Sequence, residues 1–263
     1  MENPSMEDMA LLARGTYQLG EKAGTKAERI KNAQIMINDT GFIVNPEHSN
    51  SQITTYQHKE NPKNVVIAHR GTKVDGRRGI KDIQADLLFA VGMGGHQSLF
   101  KKRLNKTNQI ITALEPDYLH LTGHSLGGGT VNHTIANSNK VRKKLTTAKT
   151  YNAAAHPIFD NDTSVPYKYK KELETKVEHH RIKHDPVSMG FKNLVPFGKV
   201  KTHKIKHDPK LGKSYIKTIV EKNPSLIQKF YNANPFRFTA RGLFAHSGSH
   251  FHDGMIKKKK NKK

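Results

Sequence analysis

The sequence contains no cysteine and no tryptophan among its 263 residues. The absence of cysteine excludes disulfide bonds, thiolate metal ligands and a cysteine nucleophile. No apolar stretch approaches the roughly 20 residues that a membrane-spanning helix needs, and residues 1–10 lack the basic-then-apolar pattern of a secretory signal. We therefore expect an intracellular protein. Its mean hydropathy of −0.72 is low for a globular enzyme, so we expect part of the chain to be solvated.

Acidic residues are also scarce. The 22 Asp and Glu residues are outnumbered by 45 Lys and Arg residues, which gives a formal charge of +23. The imbalance is concentrated in residues 191–263, where 18 basic residues face three acids. Residues 257–263 are six lysines and one asparagine, and we expect a disordered tail there. Residues 1–256 are long enough to bury one substantial core, so we expect them to form one domain.

The basic C-terminal region has several interpretations. It is compatible with a solubilising, disordered end. It would also be attracted to anionic phospholipid, where each lysine near the surface contributes about 1 kcal/mol, or to nucleic acid through counterion release. A lysine cluster of this kind can also act as a nuclear address. No basic motif interleaved with aromatic residues, as in RNA-recognition domains, is visible.

What the sequence does contain is a strand, a glycine-flanked serine and a helix in succession over residues 118–136. Apolar residues alternate up to Gly-His-Ser-Leu-Gly (123–127), and small residues follow. In such a strand–turn–helix unit the serine stands on a sharp, strained turn, and the glycines let helix and strand approach closely. The helix N-terminus can stabilise a developing oxyanion. The pattern predicts that Ser125 is a nucleophile; the alternative is a glycine-rich turn with a helix-capping serine.

Other segments predict a sheet covered by helices. Residues 64–68 form an almost continuous apolar run, typical of a buried central strand. The order of strands and helices favours an α/β fold with a mostly parallel sheet and helices on both faces. The predicted helices cover 6–19, 25–37, 96–114 and a segment after 223, and further predicted strands cover 41–44, 52–56, 148–155 and 177–182. Residues 189–213 lack periodicity and predict a long loop.

The strand at 64–68 runs into His-Arg-Gly-Thr (69–72). In an α/β-hydrolase the loop after an early strand supplies one oxyanion donor, and the residue after the nucleophile supplies the other. We therefore expect the backbone N–H groups of Thr72 and Leu126 to form the oxyanion hole. The alternative for residues 69–72 is an ordinary strand-to-loop turn.

An acid that orients the catalytic histidine is expected after a later strand, in the chain order serine, acid, histidine. Asp185 follows the predicted strand at 177–182 and is our candidate. Asp160 and Asp162 are rivals, but no strand immediately precedes them. The alternative for Asp185 is an Asp-Pro turn.

Three histidines near the C-terminus are candidates for the general base, namely His246, His250 and His252. A neutral imidazole would take the serine proton and return it to the leaving group. The spacing of the residues does not choose among the three. Their arrangement also suggests a zinc site, but no carboxylate or cysteine completes an evident ligand set, so we expect no metal and no cofactor.

Two further segments have weaker functional interpretations. Asp82 and Asp86 are four residues apart, so they could bind a metal together or pair with Arg70. Acidic residues at this spacing more often lie on a solvated face. The glycine-rich stretch at 92–95 is a candidate lid hinge. His179 and His180 are interpreted as ordinary surface or packing residues.

Together these motifs resemble the lipase class 3 family of α/β-hydrolase esterases. The strand ending in His-Arg-Gly-Thr (65–72) is similar to the family's oxyanion segment, and Asp-Ile-Gln-Ala-Asp (82–86) to its Asp-x-x-x-Asp segment. Gly-His-Ser-Leu-Gly-Gly (123–128) is similar to its nucleophile elbow, and Asp-Pro-Val (185–187) to its catalytic acid. The stretch at 250–255 is similar to the histidine segment of relatives with short C-terminal ends.

The resemblance implies hydrolysis of triacylglycerol or phospholipid by a Ser125–His250–Asp185 triad, and it favours His250 over its neighbours. Two features depart from the family: His69 stands where phenylalanine is usual, and the C-terminal end is far more basic than in secreted fungal relatives. The basic end makes phospholipid a better expectation than neutral acylglycerol. The Lys- and Asn-rich composition suits a microbial or large-DNA-virus relative, so the expected location is cytoplasmic or virion-associated.

A competing hypothesis is an inactive hydrolase fold that binds anionic membranes or nucleic acid through its basic C-terminal region. Three matched positions in the order Ser125, Asp185, His250 favour retained chemistry. A zinc-dependent enzyme is a third hypothesis, which loss of activity with a chelator would support.

Overall fold

The computed structural model describes residues 3–21, 23–72, 97–154, 167–183 and 197–203. These residues contain a seven-stranded sheet in the order β1-β2-β3-β4-β5-β6-β7. The strands are β1 (Phe42–Asn45), β2 (Ile53–His58), β3 (Asn64–His69), β4 (Tyr118–His124), β5 (Leu145–Tyr151), β6 (Val177–Ile182) and β7 (Lys199–His203). The helices are α1 (Met6–Leu19), α2 (Lys26–Met36), a 3₁₀ turn (Asn38–Thr40), α3 (Gln97–Leu114), α4 (Leu126–Asn137), α5 (Asn139–Lys144) and α6 (Tyr167–Lys176).

The sheet is mixed but mostly parallel. The pairs β1–β2 and β2–β3 are antiparallel, while every pair from β3 to β7 is parallel. All six residues of β3 are buried, as expected for a central strand covered on both faces. This arrangement is the α/β-hydrolase type of fold that the sequence predicts.

The two N-terminal helices begin at capping boxes that their sequences encode. Ser5 and Asp8 exchange side-chain and backbone hydrogen bonds at the start of α1, and Thr25 and Glu28 do the same at the start of α2. Each box satisfies two of the N–H groups that a helix start leaves unpaired. The predicted bounds of these helices are accordingly close to the observed ones.

Two hydrophobic cores lie on opposite faces of the sheet, because successive residues of a strand point to opposite sides. On one face α1 packs through Met9 and Leu12 against Val66 and Tyr151. On the other face α3 and α4 pack against Val65, Ile67, Leu119 and Leu121. This layering buries the central strands β3 and β4 on both sides and leaves the carboxyl ends of the parallel strands at one edge.

At that edge the strand register aligns residues in two rows. His69, Gly123, Thr150 and His179 are direct partners across β3 to β6. In the next row His124 pairs with Tyr151, and Tyr151 with His180. The first row points toward α3 and α4, and the second toward α1. Residues after these rows therefore meet at the carboxyl edge of the sheet.

Some sequence predictions differ from the structure. The strand predicted at 148–155 begins earlier, at Leu145, and ends at Tyr151. The loop predicted at 189–213 contains strand β7, which pairs along β6. Four of its five residues are exposed and two are lysines, so its sequence lacks the alternation of apolar and polar residues that predicts a strand. The short helices α5 and α6 are further elements that periodicity did not predict.

The predicted helix after residue 223 and the candidate lid hinge at 92–95 lie outside the described residues. So do Asp82 and Asp86. Within the described ranges, no helix combines the length and the apolar character needed to cross a bilayer.

Candidate active site

Ser125 stands at the junction of β4 and α4 with an unusual backbone. Its φ of 57° and ψ of −124° lie where non-glycine residues are rarely found. Such strain costs about 1–3 kcal/mol and persists only where the surrounding structure enforces it. The Ser125 side chain makes no capping hydrogen bond to the helix, so the alternative of a helix-capping serine is wrong.

Backbone hydrogen bonds on both sides hold Ser125 in this conformation. Its N–H donates to the Tyr151 carbonyl at the end of β5 (3.0 Å). Its carbonyl accepts from the N–H groups of Gly129 (3.1 Å) and Ala154 (3.0 Å). Backbone hydrogen bonds with β5, with α4 and with the segment after β5 therefore hold the turn in place.

Glycines make the close approach of strand, turn and helix possible. A Cβ added to Gly127 would lie 2.0 Å from the His69 carbonyl oxygen, and one added to Gly123 would lie 2.4 Å from the Gly127 carbonyl carbon. Both distances are far inside van der Waals contact with backbone atoms, which cannot move aside cheaply. The close packing therefore requires glycine at positions 123 and 127, two residues before and two residues after Ser125.

The segment Arg70–Thr72, predicted to form half of the oxyanion hole, lies against the elbow. A Cβ on Gly71 would lie 2.5 Å from the His124 carbonyl oxygen and 3.3 Å from the Ser125 Cβ. Thr72 follows Gly71 directly, and Leu126 follows Ser125 as the first residue of α4. The structure therefore brings Ser125, Leu126 and the segment that carries Thr72 to one place.

The hydroxyl of Tyr17, at the end of α1, lies in the same place. It is 3.1 Å from His124 Nδ1 and packs against Gly71, where an added Cβ would lie 2.3 Å from the hydroxyl oxygen. Burial raises the pKa of Tyr17 to about 12, despite the opposing charges of Arg70 and Arg103. The hydroxyl is therefore neutral at physiological pH and can donate or accept a hydrogen bond.

Arg103 of α3 connects the same segment to the elbow helix. Its guanidinium Nη1 donates to the Arg70 carbonyl (2.7 Å) and to Thr130 Oγ1 (3.3 Å). Burial and the charge of Arg70 lower the pKa of Arg103 to about 10, so the group stays charged near neutral pH. A buried cation thus lies between the Arg70 carbonyl and the elbow helix.

His69 fills the position where the resembled family has phenylalanine. The ring is fully buried, and its Nε2 lies 3.4 Å from Thr107 Oγ1 on α3. Burial and the charge of Arg103 lower the pKa of His69 to about 3. The imidazole is therefore neutral at physiological pH and acts as a packed aromatic ring.

The end of β6 is held next to the elbow through Asn152. The Asn152 N–H donates to the His180 carbonyl (2.8 Å), and its Oδ1 accepts from the Ile182 N–H (2.9 Å). This anchoring fixes the last residues of β6, the strand that precedes Asp185 in the sequence. Asp185 itself lies outside the described residues.

The remaining predicted site residues also lie outside the described ranges. These are the general-base candidates His246, His250 and His252, and the rival acids Asp160 and Asp162. Among the residues that the structure describes, no group of three or more His, Asp or Glu side chains could hold a metal ion.

Sequence reasoning missed Tyr17 and Arg103. Tyr17 lies within the helix predicted at 6–19, where its residue type alone does not indicate a role at the site. Arg103 belongs to a Lys- and Arg-rich stretch of α3 whose other members are exposed or half-buried, so its residue type did not distinguish it. Only the helical phase, which places Arg103 three residues after the buried Phe100, could have indicated an inward side chain.

A family model described as "Phospholipase-like: Tle-like phospholipase domain" matches residues 8–233, most of the chain. The comparison with curated protein sequences finds no match. The family match supports hydrolysis of a lipid ester.

Among solved structures, the M37 lipase aligns with a TM-score of 0.51 at 11% identity, covering 85% of this chain and 82% of that chain. Lipase II from Rhizopus niveus aligns with a TM-score of 0.48 at 13% identity, covering 77% of this chain and 81% of that chain. At such identities the M37 likeness concerns the fold alone.

Proposed function

The chain belongs to the Tle-like phospholipase domain family, and on that premise we propose that it hydrolyses carboxylic esters of lipids through an acyl-enzyme on Ser125. The observation that carries the proposal is the strained backbone of Ser125 at the strand–helix junction, with φ of 57° and ψ of −124°. Three backbone hydrogen bonds hold Ser125 in this strained conformation. Residues held under such strain cluster at functional sites, which supports a functional role for Ser125.

In the proposed reaction Ser125 Oγ attacks the ester carbonyl carbon while His250 accepts the hydroxyl proton. The tetrahedral oxyanion is stabilised by the N–H groups of Leu126 and Thr72. Collapse breaks the ester C–O bond, and His250 returns the proton to the departing alcohol. Water then repeats the sequence on the acyl-enzyme and releases the fatty acid. Asp185 holds the imidazole in the required tautomer and stabilises the imidazolium.

We propose phospholipid as the preferred substrate class, because the protein is strongly basic. Exposed Lys199 and Lys201 on edge strand β7 add to the lysine-rich end at 257–263. Positive charge near an anionic bilayer favours binding of the protein to its surface. Replacing the tail lysines with glutamine should reduce sedimentation with phosphatidylserine vesicles. Salt-sensitive binding to nucleic acid with no esterase activity would favour the inactive-module hypothesis instead.

The substrate proposal is tested by release of fatty acid from mixed phosphatidylcholine–phosphatidylserine vesicles and from a triacylglycerol emulsion. The parent chain should hydrolyse the vesicles faster, and Ser125→Ala should abolish both activities. Ser138→Ala is a matched control, because Ser138 is a buried serine at the other end of α4. The Ser138→Ala substitution removes the hydroxyl that caps α5, which should cost about 1 kcal/mol of stability and leave the conformation of the elbow unchanged. Full activity in Ser125→Ala would refute the proposal.

The general base is identified by comparing His246→Gln, His250→Gln and His252→Gln in the same assay. Only His250→Gln should lose activity by several orders of magnitude, as expected for removal of a triad member. Activity lost in another of the three variants would move the assignment to that residue. Activity that resists all three but falls with a chelator would favour the zinc-dependent alternative.

A further inference from the structure

Both predicted oxyanion donors are connected through one buried side chain of α3. Arg103 is 4% exposed, and its Nη1 donates to the Arg70 carbonyl at 2.7 Å and to Thr130 Oγ1 at 3.3 Å. The Arg70 carbonyl belongs to the peptide that joins Arg70 to Gly71. Because a peptide group is planar, holding this carbonyl also fixes the direction in which the chain enters Gly71 and Thr72.

The second contact of Arg103 reaches the other donor. Thr130 Oγ1, which accepts from Arg103, donates to the Leu126 carbonyl at 2.9 Å, one turn earlier in α4. The guanidinium therefore connects the segment that carries Thr72 to the first turn of the elbow helix, where Leu126 lies.

We infer, resting on the proposed function, that Arg103 is a positioning residue that sets the separation of the Thr72 and Leu126 N–H groups. An oxyanion hole works only when its donors lie about 2.7–3.1 Å from the place where the oxyanion forms. Two donors on different chain segments keep such a separation only if something connects them. Arg103 adds such a connection to the direct backbone packing of Gly127 against the His69 carbonyl.

The contacts of Arg103 indicate a positioning role. Its guanidinium bonds to the Arg70 carbonyl and to the Thr130 hydroxyl, so its removal should act on the reaction through the two segments that it holds. A planar guanidinium suits this role, since its donors have fixed directions, whereas a lysine offers a single flexible ammonium group.

The test compares Arg103→Met with the parent in vesicle hydrolysis, measuring kcat and KM separately. We expect kcat to fall about 10- to 100-fold, the scale of an ångström-sized misplacement of catalytic groups. KM should stay within about twofold, because substrate contacts are intact. Arg103→Lys should recover only part of kcat.

Arg142→Met is the matched control. Arg142 also uses its guanidinium to hold carbonyl groups of α4, those of Ile135 (2.9 Å) and Ala136 (2.5 Å), but at the end of the helix far from Ser125. We expect it to lower the melting temperature while leaving kcat unchanged. A role of Arg103 limited to stability would make the two variants alike in kcat.

A second readout is the affinity for a trifluoromethyl ketone, which forms a tetrahedral oxyanion adduct with an active serine. Affinity should fall in parallel with kcat in Arg103→Met and stay unchanged in Arg142→Met. If Arg103→Met fails to fold, Thr130→Val decides, because it keeps the side-chain volume and removes both hydroxyl bonds. We expect Thr130→Val to lower kcat about threefold to tenfold through the same misplacement.

If Arg103→Met folds and its kcat is unchanged, this inference is wrong. If Arg103→Met does not fold, an unchanged kcat in Thr130→Val overturns the inference. Either result leaves the proposed function intact. An equal loss of kcat in Arg142→Met would overturn the inference as well. A folded parent that neither hydrolyses vesicles nor binds the ketone would instead overturn the proposed function, and the positioning role would fall with it.

Discussion

The elbow region and the histidine region lie at the same carboxyl edge of the sheet but are held together by different interactions. The elbow region comprises residues 69–72 and 123–129. The histidine region comprises His179, His180 and His203, with their partners on β5 to β7. The elbow region depends on the absence of side chains, because a Cβ on Gly127 would lie 2.0 Å from a carbonyl oxygen.

The histidine region depends on side-chain hydrogen bonds. His179 contacts Thr150 Oγ1 through Nδ1 and the Phe197 carbonyl through Nε2, both at 2.8 Å. His180 contacts His203 Nε2 (3.0 Å) and Glu178 Oε2 (3.1 Å) through its two ring nitrogens. These bonds tie the last three strands to one another.

The comparison shows that one edge of a sheet can combine a turn fixed by backbone packing with side-chain hydrogen bonds that depend on pH. Steric constraints at the elbow glycines do not change with pH, and His69 of the elbow region is protonated only in strong acid, because burial lowers its pKa to about 3. The ring bonds of the histidine region depend on which nitrogens carry protons. Perturbations should therefore separate the two regions.

Acid should produce the largest effect on stability. Burial lowers the pKa of His69 to about 3, and that of His120 and His179 to about 4, from an ordinary value of 6.5. The folded protein keeps these rings neutral, whereas the unfolded chain binds protons below pH 6.5. Stability is thus fully present above pH 6.5 and is lost as the pH falls toward 4. Each histidine contributes a slope of up to about 1.4 kcal/mol per pH unit.

Urea unfolding at several pH values measures that slope. His179→Gln should reduce it by about 1.4 kcal/mol per pH unit, because one titrating group is removed. A free energy of unfolding that does not change between pH 6.5 and pH 4.5 would contradict the neutral, buried state of these rings.

Gly127→Ala should have the next largest effect, confined to the elbow region. The new methyl group would overlap the His69 carbonyl, and such backbone overlap costs about 3 kcal/mol or more. The displaced turn should also lower kcat about 100-fold. Thermal unfolding and vesicle hydrolysis measure the two losses.

Gly41→Ala provides the control for Gly127→Ala. Gly41 has a φ of 74°, and its added Cβ would meet only a His58 side-chain atom at 3.1 Å. We expect a loss of about 1 kcal/mol from backbone strain, with unchanged kcat. Equal losses of kcat in the two variants would remove the distinction between elbow glycines and ordinary turn glycines.

His179→Leu should destabilise the histidine region without altering the chemistry at Ser125. The apolar side chain would leave the buried Thr150 hydroxyl and Phe197 carbonyl without their ring partner, at about 1–3 kcal/mol for each group. We expect a lower melting temperature and a kcat near that of the parent at temperatures where the variant is folded. A kcat loss as large as that of Gly127→Ala would show that the regions are not separable.

Glu178→Gln should have the smallest effect. Hydrogen bonds from His180 and Lys201 lower the pKa of Glu178 to about 2, so the carboxylate contributes stability above the ordinary pKa of 4.5 and loses it as the pH falls toward 2. Because the side chain is 27% exposed, solvent screening limits this contribution to about 1 kcal/mol or less. Urea unfolding at pH 7 measures the change, with Glu172→Gln, which affects an i,i+4 pair, as the control. A loss above that of His179→Leu would reverse the ranking.

The elbow region was predictable because its requirements are local. The glycines, Ser125 and the apolar strand are adjacent in the chain. The glycines indicate a tight turn with close packing, and the apolar run indicates a buried strand. The position of the 69–72 segment beside them followed from the rule that parallel strands end at one edge.

The histidine region was not predictable from residue type. His179 and His180 are buried and hydrogen-bonded because β5 and β7 pair with β6, and that pairing joins distant parts of the chain. Strand β7 itself has four exposed residues out of five, so it shows no alternation of apolar and polar side chains. The burial of Arg103 was not predictable either, because only tertiary packing distinguishes this residue from the neighbouring lysines of α3.

The most direct measurement is reaction of the folded parent chain with a fluorophosphonate probe, followed by mass spectrometry of the labelled peptide. We predict one adduct on Ser125, absent in Ser125→Ala and retained in Ser138→Ala. A folded parent that does not react, or an adduct on another residue, would contradict the assignment of Ser125 as an activated nucleophile.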